Sequence, residues 1–255
     1  MKKLLFIATM LMTILVSSCK EDKNPVSPNF YSFVTAQFEN GKFANMITDG
    51  GRVLCPTNSF VPRVSDGQRF VAYYYFPDYK DIDKDNANVE IVAVDYDVEL
   101  GTSKFVADES ELKALGTEGT SFFHSGFYYP TMTPKFINIY VFFNASKPEK
   151  HKFTLARVES DDNDGRILDL TLCHDNGGDT GSQDWYTWVS LPVDSFKDLL
   201  DGKDRVRVNI KTRMNGIQAL ELMVPKDEVV KSSFDCAQPA GRASSERLSA
   251  SDYNF

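Results

Sequence analysis

The sequence of 255 residues is poor in the groups that reactive and nucleic-acid-binding proteins concentrate. Its three histidines, His124, His151 and His174, lie in separate segments, none at metal-ligand spacing from a cysteine or a second histidine. No zinc or other metal site is therefore expected. His124-Ser125-Gly126 is the only hint of a nucleophile. It lacks a Gly-x-Ser-x-Gly elbow and a recognisable base, so no catalytic residue and no cofactor is assigned. Basic patches are missing too: the formal net charge is -8, and removal of Lys2 and Lys3 with a leader takes it to -10. Nucleic-acid affinity comes largely from Lys and Arg neutralising phosphates, which sets that class of partner aside. No internal repeat is visible, and the longest apolar run, residues 4–16, falls short of the roughly 20 residues that cross a bilayer.

That run belongs to the most informative part of the chain. Met1-Lys2-Lys3 is a short basic start, residues 4–16 are apolar apart from Thr9 and Thr13, and Ser17 and Ser18 precede Cys19. This is the layout of a secretory signal over residues 1–18. Leu15-Val16-Ser17-Ser18-Cys19 resembles the bacterial lipobox, which implies that the Cys19 thiol accepts a diacylglycerol and that Cys19 becomes the new amino terminus. Acyl burial contributes about 0.8 kcal/mol per CH₂, so two or three chains hold a protein to a membrane without a helix. Residues 19–29, charged at first and then carrying Pro25 and Pro28, read as a solvated tether. Lys20-Glu21-Asp22 resembles the signal that sends some Gram-negative lipoproteins to the outer face of the outer membrane, although any tether is rich in charge.

The remainder has 42% hydrophobic, 25% charged and 13% aromatic residues, enough to build a real core. With Cys19 acylated, Cys55, Cys173 and Cys236 remain, so at least one free thiol is expected, and the core is large enough not to need a disulfide.

Strand signals dominate from residue 30. Residues 31–38 and 42–48 flank Asn40-Gly41, a dipeptide suited to the positive φ values of a tight hairpin. Asp49-Gly50-Gly51 makes another turn, 52–55 a short strand ended by Pro56, and Asp66-Gly67 leads into 68–76. In that strand Phe70, Ala72, Tyr74 and Phe76 share one face and Val71, Tyr73 and Tyr75 the other, so both faces are expected to be covered. A strand at 89–96 follows an acidic loop. Asp108 and Glu111 form a capping box for one helical turn over 108–115, with Leu112 and Leu115 inward. This turn reads as the connector between two all-β units. Beyond it, Ile137, Ile139, Val141 and Phe143 alternate with Asn138 and Tyr140, and Val206, Val208 and Ile210 alternate with Arg205, Arg207, Asn209 and Lys211, as in half-buried antiparallel strands. With 153–158, 167–173, 185–191 and 216–224, the spacing is that of a β-sandwich. Residues 232–255 have little to bury and read as a mobile tail.

Ile47-Thr48-Asp49-Gly50-Gly51-Arg52-Val53-Leu54-Cys55-Pro56 with Asp66-Gly67-Gln68-Arg69-Phe70, then Phe136-Ile137-Asn138-Ile139-Tyr140-Val141-Phe142 and Leu170-Thr171-Leu172-Cys173-His174-Asp175-Asn176-Gly177-Gly178-Asp179, resemble the two halves of NigD-like lipoproteins. The resemblance covers about residues 19–225. It implies an all-β chain, with an OB-like β-barrel (30–107) followed by an antiparallel β-sandwich (108–231), on a lipid anchor in a Gram-negative envelope, with an association to bacteriocin production or immunity. Cys173, where a basic residue is expected, and the tail depart from the pattern.

Among the polar loops, Asp81-Ile82-Asp83-Lys84-Asp85-Asn86 alternates carboxylates as a calcium loop does, with Asn86 at the tight-turn place. It has Val92 where a bidentate Glu should close the loop. This loop, 161–165 and 175–184 read more simply as solvated turns. The aromatic clusters Phe122, Phe123, Phe127, Tyr128, Tyr129 and Trp185, Tyr186, Trp188 suit sugar or protein binding, since aromatic rings give large contact area. Because strands bury alternate residues, either Tyr186 and Trp188 or Trp185 should be exposed, and these three are the candidate ligand-binding residues.

The favoured reading is a non-enzymatic, surface-anchored binding or protective module at the outer membrane, with an unidentified protein, peptide or glycan ligand. One alternative is an accessory subunit of an outer-membrane complex. Another is a hydrolase assembled from dispersed Asp, Glu and His, which requires a cleft that brings two such residues within hydrogen-bond reach.

Overall fold

The computed structural model describes residues 30–95, 98–123, 128–159 and 165–225. The expected leader, Cys19, the tether, the tail, the segment His124-Ser125-Gly126 with Phe127, and residues 161–164 lie outside the described residues. No helix among the described residues is long and apolar enough to cross a membrane.

The first five strands are β1 (Phe30–Glu39), β2 (Lys42–Thr48), β3 (Val53–Pro56), β4 (Arg69–Tyr75) and β5 (Asn86–Asp95). They close into a barrel in the order β1-β2-β3-β5-β4, with β4 returning antiparallel to β1 and β3 parallel to β5. This is the expected OB-like arrangement, in which closure removes the sheet edges. The β1–β2 hairpin turns at Asn40 and Gly41, both at positive φ (52° and 75°), and Glu39 faces Lys42 across it. Alternation then sorts the side chains. Val34, Ala36, Met46, Leu54, Phe70, Ala72, Tyr74, Phe76, Ala87, Val89 and Ile91 fill the barrel, each large apolar side chain contributing about 1.5–3 kcal/mol on burial. The other face of β4 is covered as well, as the sequence indicates: Val71 and Tyr73 join Phe33, Tyr31 and Trp188 in a separate cluster. Asn86 does not occupy a tight turn; it opens β5 opposite Val53.

The second unit contains β6 (Val98–Leu100), β7 (Thr102–Val106), the helix α1 (Glu109–Ala114), β8 (Ser121–Phe122), β9 (Thr131–Met132), β10 (Phe136–Ala145), β11 (Lys152–Val158), β12 (Ile167–Asp175), β13 (Gln183–Pro192), the short helix α2 (Lys197–Leu200), β14 (Arg205–Lys211) and β15 (Ile217–Met223). One sheet runs β6-β13-β10-β8, with β9 also on β10; the other runs β15-β14-β12-β11-β7. Between them lies the larger core, which includes Ile137, Ile139, Val141, Phe143, Leu168, Leu170, Val189, Leu191, Val206, Val208 and Ile210. Most neighbours are antiparallel, but β6–β13, β7–β11 and β12–β14 are parallel. Asp108 caps the helix as expected, its carboxylate accepting from the N–H groups of Ser110 and Glu111 (2.8 and 3.0 Å), while the Glu111 carboxylate reaches back one residue further than in a capping box, to the N–H of Ala107.

The boundary between the units falls earlier than the expected position near 108. Because β6 joins one sandwich sheet and β7 the other, the sandwich begins at Val98, and α1 lies inside it rather than between the units. Cysteine chemistry also differs in part from expectation. Cys173 is a buried free thiol, pushed up to about 11 chiefly by burial and then by the Glu109 carboxylate. Cys55 is disulfide-bonded.

Candidate functional site

The β10–β13 pair has an inner face that builds the core and an outer face that does not. Alternation sends Phe136, Asn138, Tyr140, Phe142 and Asn144 of β10 outward, and the register sets Asn138 beside Ser190, Tyr140 beside Trp188, Phe142 beside Tyr186 and Asn144 beside Asp184. Each cross-strand pair interacts. The Ser190 hydroxyl donates to Asn138 Oδ1 (2.6 Å), the Tyr140 and Trp188 ring centroids are 5.2 Å apart, Phe142 stacks on Tyr186 at 4.9 Å, and Asn144 Nδ2 donates to Asp184 Oδ1 (3.1 Å). Such pairs are the unit of sheet stabilisation.

The barrel covers one half of this face. Arg69 on β4 makes a two-pronged ion pair with Asp49 (2.7 and 3.0 Å), both side chains about 4% exposed, and lies 3.7 Å over the Phe136 ring. Arg69 also reaches Asn138 Oδ1 (3.4 Å), and Thr133 donates to the Asp49 carboxylate (3.3 Å), so polar groups of both units meet in one buried network. A charge taken out of water is stable only when it is paired and its remaining donors and acceptors are met, as most of them are here. Beside this network Trp188 packs edge-on against Phe33 at 4.8 Å.

Neither expected alternative, Tyr186 with Trp188 exposed or Trp185 exposed, holds as stated, because Trp188 is buried while Tyr186 and Trp185 are both exposed. Trp188 shares a face with Tyr186, as the alternation requires, but that face is occupied by the barrel there and Trp188 is 0% exposed. Tyr186 is open (43%), and Trp185, beside Phe143 on the opposite side of the sheet, is exposed at 38%.

Among the described residues, the barrel packs on the Trp188 half of this face and not on the half around Phe142 and Tyr186. Phe123 and Tyr128 join it, so the structure brings the two aromatic clusters of the sequence together. Tyr128 stacks on Tyr140 (4.3 Å), Tyr140 lies near-parallel to Tyr186 (6.5 Å), Tyr186 stacks on Phe142, and Phe123 sits 5.5 and 6.0 Å from Tyr140 and Tyr186. Arg213, in the β14–β15 turn, caps the row 4.9 Å from the Phe142 ring. Phe122 turns inward onto the sandwich core.

Next to Arg213 opens a cavity of about 490 Å³, lined among others by Asn144, His151, His174, Asp179, Lys211 and Arg213. Its floor holds two histidines whose proximity spacing could not reveal. His151 Nδ1 is 2.8 Å from His174 Nε2, and His151 Nε2 is 3.4 Å from Asp179 Oδ2. A carboxylate only accepts, so the tautomers assigned from the network run His174 to His151 to Asp179. Asp179 is fixed by the N–H groups of Ser146, Lys147 and Gly181 (2.7, 2.6 and 2.8 Å), with Lys147 the largest influence in holding its carboxyl down to about 2. Gly181 is required there, because a Cβ would stand 2.0 Å from Ser146 N. Burial, followed by the neighbouring His151, pushes the His174 imidazole down to about 4; among the described residues its Nδ1 has no hydrogen-bond partner.

The geometric condition for a hydrolase, acidic and histidine groups within hydrogen-bond reach in a cleft, is thus met by His151, His174 and Asp179. Their orientation turns them toward one another, however: the His151 side chain is 1% exposed, and its two nitrogens face His174 and Asp179. Among the described residues no group of three or more His, Cys, Asp or Glu could hold a metal ion. The carboxylates of 175–184 bind local groups, Asp175 accepting from Gly177 N–H and Asp184 from Asn144.

Comparison with known proteins places the second unit. Residues 127–224 match the family model of the NigD-like C-terminal beta sandwich domain. No curated protein matches. Among solved structures, a protein of unknown function from Bacteroides vulgatus is similar at 14% identity and a TM-score of 0.62, over 82% of this chain and 96% of that one. A candidate lipoprotein from Bacteroides fragilis is similar at 14% and 0.57, over 79% and 100%. A NigD-like immunity protein from Bacteroides caccae is similar at 16% and 0.51, over 77% and 92%. At these identities the likeness bears on the fold alone.

Proposed function

We propose that the protein, whose residues 127–224 match the NigD-like C-terminal beta sandwich domain behind an OB-like barrel, is an exported, lipid-anchored envelope protein that captures a ligand on the aromatic half of its β10–β13 face. The observation that carries this reading is the joining of two aromatic segments, distant in sequence, into one row beside a cavity, with Phe123, Tyr128 and Tyr186 exposed and Tyr140 and Phe142 half-buried between them. Monomeric surfaces seldom leave a contiguous apolar patch without a use. Capture needs no chemistry from the buried histidines, and a general base must reach its substrate.

The lipobox ending at Cys19 supports the anchor, and the candidate lipoprotein of Bacteroides fragilis shares this fold. Lys20-Glu21-Asp22 supports display on the outer face of the outer membrane. A protective role, as in the name of the Bacteroides caccae immunity protein, is one use of capture at that surface. Two measurements test the proposal. Cys19→Ala should leave the protein unprocessed or release it from membranes, and protease added to intact cells should degrade the wild type; normal fractionation of the variant, or full protection of the wild type, counts against it. Screening the mature protein on glycan and peptide arrays should give ligands whose binding Tyr186→Ala weakens. Equal binding by that variant would move the site elsewhere.

A further inference from the structure

We propose that two copies of this chain pair antiparallel along the outer edge of β15, about a two-fold axis at Leu220, so that their β15-β14-β12-β11-β7 sheets run on into one another. A sheet edge presents unpaired N–H and C=O groups, and proteins that stay apart shorten, charge or cover such edges. The other edges of the sandwich follow this rule. β6, β8 and β9 are only two or three residues long. β7 carries Lys104 and is covered by the turn Asp194–Phe196: the Ser195 hydroxyl donates to the Ser103 carbonyl (3.0 Å), and Phe196 packs edge-on against Phe105 (5.2 Å). β15 departs from the rule. It is seven residues long, contains no proline, glycine or lysine, pairs with β14 without a bulge, and among the described residues has no strand on its other side.

The phase of the β14–β15 ladder shows what that edge offers. Thr212 N–H donates to the Gly216 carbonyl (2.7 Å) at one end and Val224 N–H to the Asp204 carbonyl (2.9 Å) at the other. Successive residues of an antiparallel strand bond alternately to one side and the other. Gln218, Leu220 and Leu222 therefore bond β14, while Ile217, Ala219, Glu221 and Met223 direct N–H and C=O to the free edge. The side chains of these four are exposed, Ile217 at 73% and Met223 at 65%, whereas Leu220 and Leu222 enter the core.

The order of the four selects a second copy as the occupant. Ile217 and Met223 are equidistant from Leu220, and so are Ala219 and Glu221. A two-fold at Leu220 sets each Ile217 opposite Met223 of the second copy and each Ala219 opposite its Glu221, all in pairs that exchange both backbone bonds. Each large exposed apolar side chain gains an apolar neighbour, and no like charges stand directly opposed. Glu221 is moreover already paired within its own chain, with Arg205 (3.0 Å) and Arg207 (2.9 Å). A slip of one residue would set edge-directed groups against groups already bonded to β14. A slip of two would either oppose the two Glu221 carboxylates or place Ile217 against Glu221.

The test uses the mature full-length protein in detergent, with micelles in large excess so that two copies do not share one by chance. Sedimentation equilibrium should show a dimer at about 100 µM that dissociates on dilution. Ala219→Pro removes an edge N–H without touching the β14 ladder, and Ile217→Lys sets a charge against Met223. Each should be a monomer at the same concentration, with thermal unfolding confirming that it is folded. A short thiol crosslinker reads the register. Ile217→Cys mixed with Met223→Cys should crosslink, because paired positions lie about 5.5 Å apart. Neither variant should crosslink with itself, since like positions are roughly 20 Å apart. A monomer throughout, a dimer untouched by both Ala219→Pro and Ile217→Lys, or equal crosslinking of each cysteine variant with itself overturns the proposal. So does a protein that dimerises only after residues 226–255 are removed, which would give the edge to the chain's own tail. None of these outcomes bears on the aromatic row, which lies on the other sheet.

Discussion

Strand β10 carries two arginine–phenylalanine stacks on one face, and they end differently. At Phe136 the guanidinium of Arg69 lies 3.7 Å over the ring, with Asp49 paired to it and Asn138 within reach, beneath the barrel. At Phe142 the guanidinium of Arg213 lies 4.9 Å from the ring and meets no acceptor among the described residues. The first arginine has its carboxylate built into the protein. The second has the same ring beneath it and the same chemistry available, yet faces outward. One sheet face thus carries an arginine paired inside the protein, where two units meet, and another that meets no acceptor among the described residues. The contrast separates a residue whose charge is matched within the structure from one whose charge is not, more clearly than exposure alone does.

The sharpest way to break this comparison is to remove each arginine. Arg69→Ala leaves the buried Asp49 carboxylate uncompensated and should destabilise the protein by about 3–5 kcal/mol, read as a lower urea midpoint. A loss below about 1 kcal/mol would mean that the seam is not what joins the units. Acid should act next, and at the open end. His174 titrates at about 4 in the folded protein against 6.5 when unexposed to this environment, so the unfolded chain takes up a proton that the folded one refuses. This stabilising preference is complete above pH 6.5 and lost as pH falls toward 4, to the extent of about 3 kcal/mol. In unfolding measured at pH 7 and pH 4, His174→Phe should flatten that loss; an unchanged pH slope would assign the effect to other groups. Tyr186→Ala removes a half-exposed cross-strand stack and should cost about 1 kcal/mol in thermal unfolding. A larger loss would make the aromatic row structural rather than receptive. Smallest of all, Arg213→Gln should change stability by under about 0.5 kcal/mol, because no group inside the protein depends on it. A drop comparable with that of Arg69→Ala would erase the distinction.

The barrel was legible because its signals are local. Asn40-Gly41 specifies a turn, and the two-faced apolar pattern of residues 70–76 announces a strand covered on both sides, which is what β4 provides. Alternation also assigned Tyr186 and Trp188 to one face correctly. It could not tell that the barrel would cover only the Trp188 end, since that depends on how two units dock. The His151–His174 contact was equally hidden: β11 and β12 pair so that Phe153 faces His174, and His151 stands just ahead of that strand. Sequence spacing searches for metal ligands along one segment, whereas these rings meet across two. Arg213 carried no signal at all, because an arginine in a turn is ordinary until the residues around it are known.

The segment from β6 to β7 is clipped to both sandwich sheets across Gly101, where a Cβ would stand 2.7 Å from Leu191 Cδ2 and 2.8 Å from the Phe153 carbonyl oxygen. Its parallel partners are far along the chain, Ser103 beside Leu155 and Glu99 beside Val189. Non-local parallel pairing closes long loops before it gains contacts, so it is slow. A fragment begun at residue 108 would leave β11 and β13 with bare strand edges, inviting self-association. In refolding kinetics, the zipping of this short bridge should be the last event, the one that turns two sheets into a closed body.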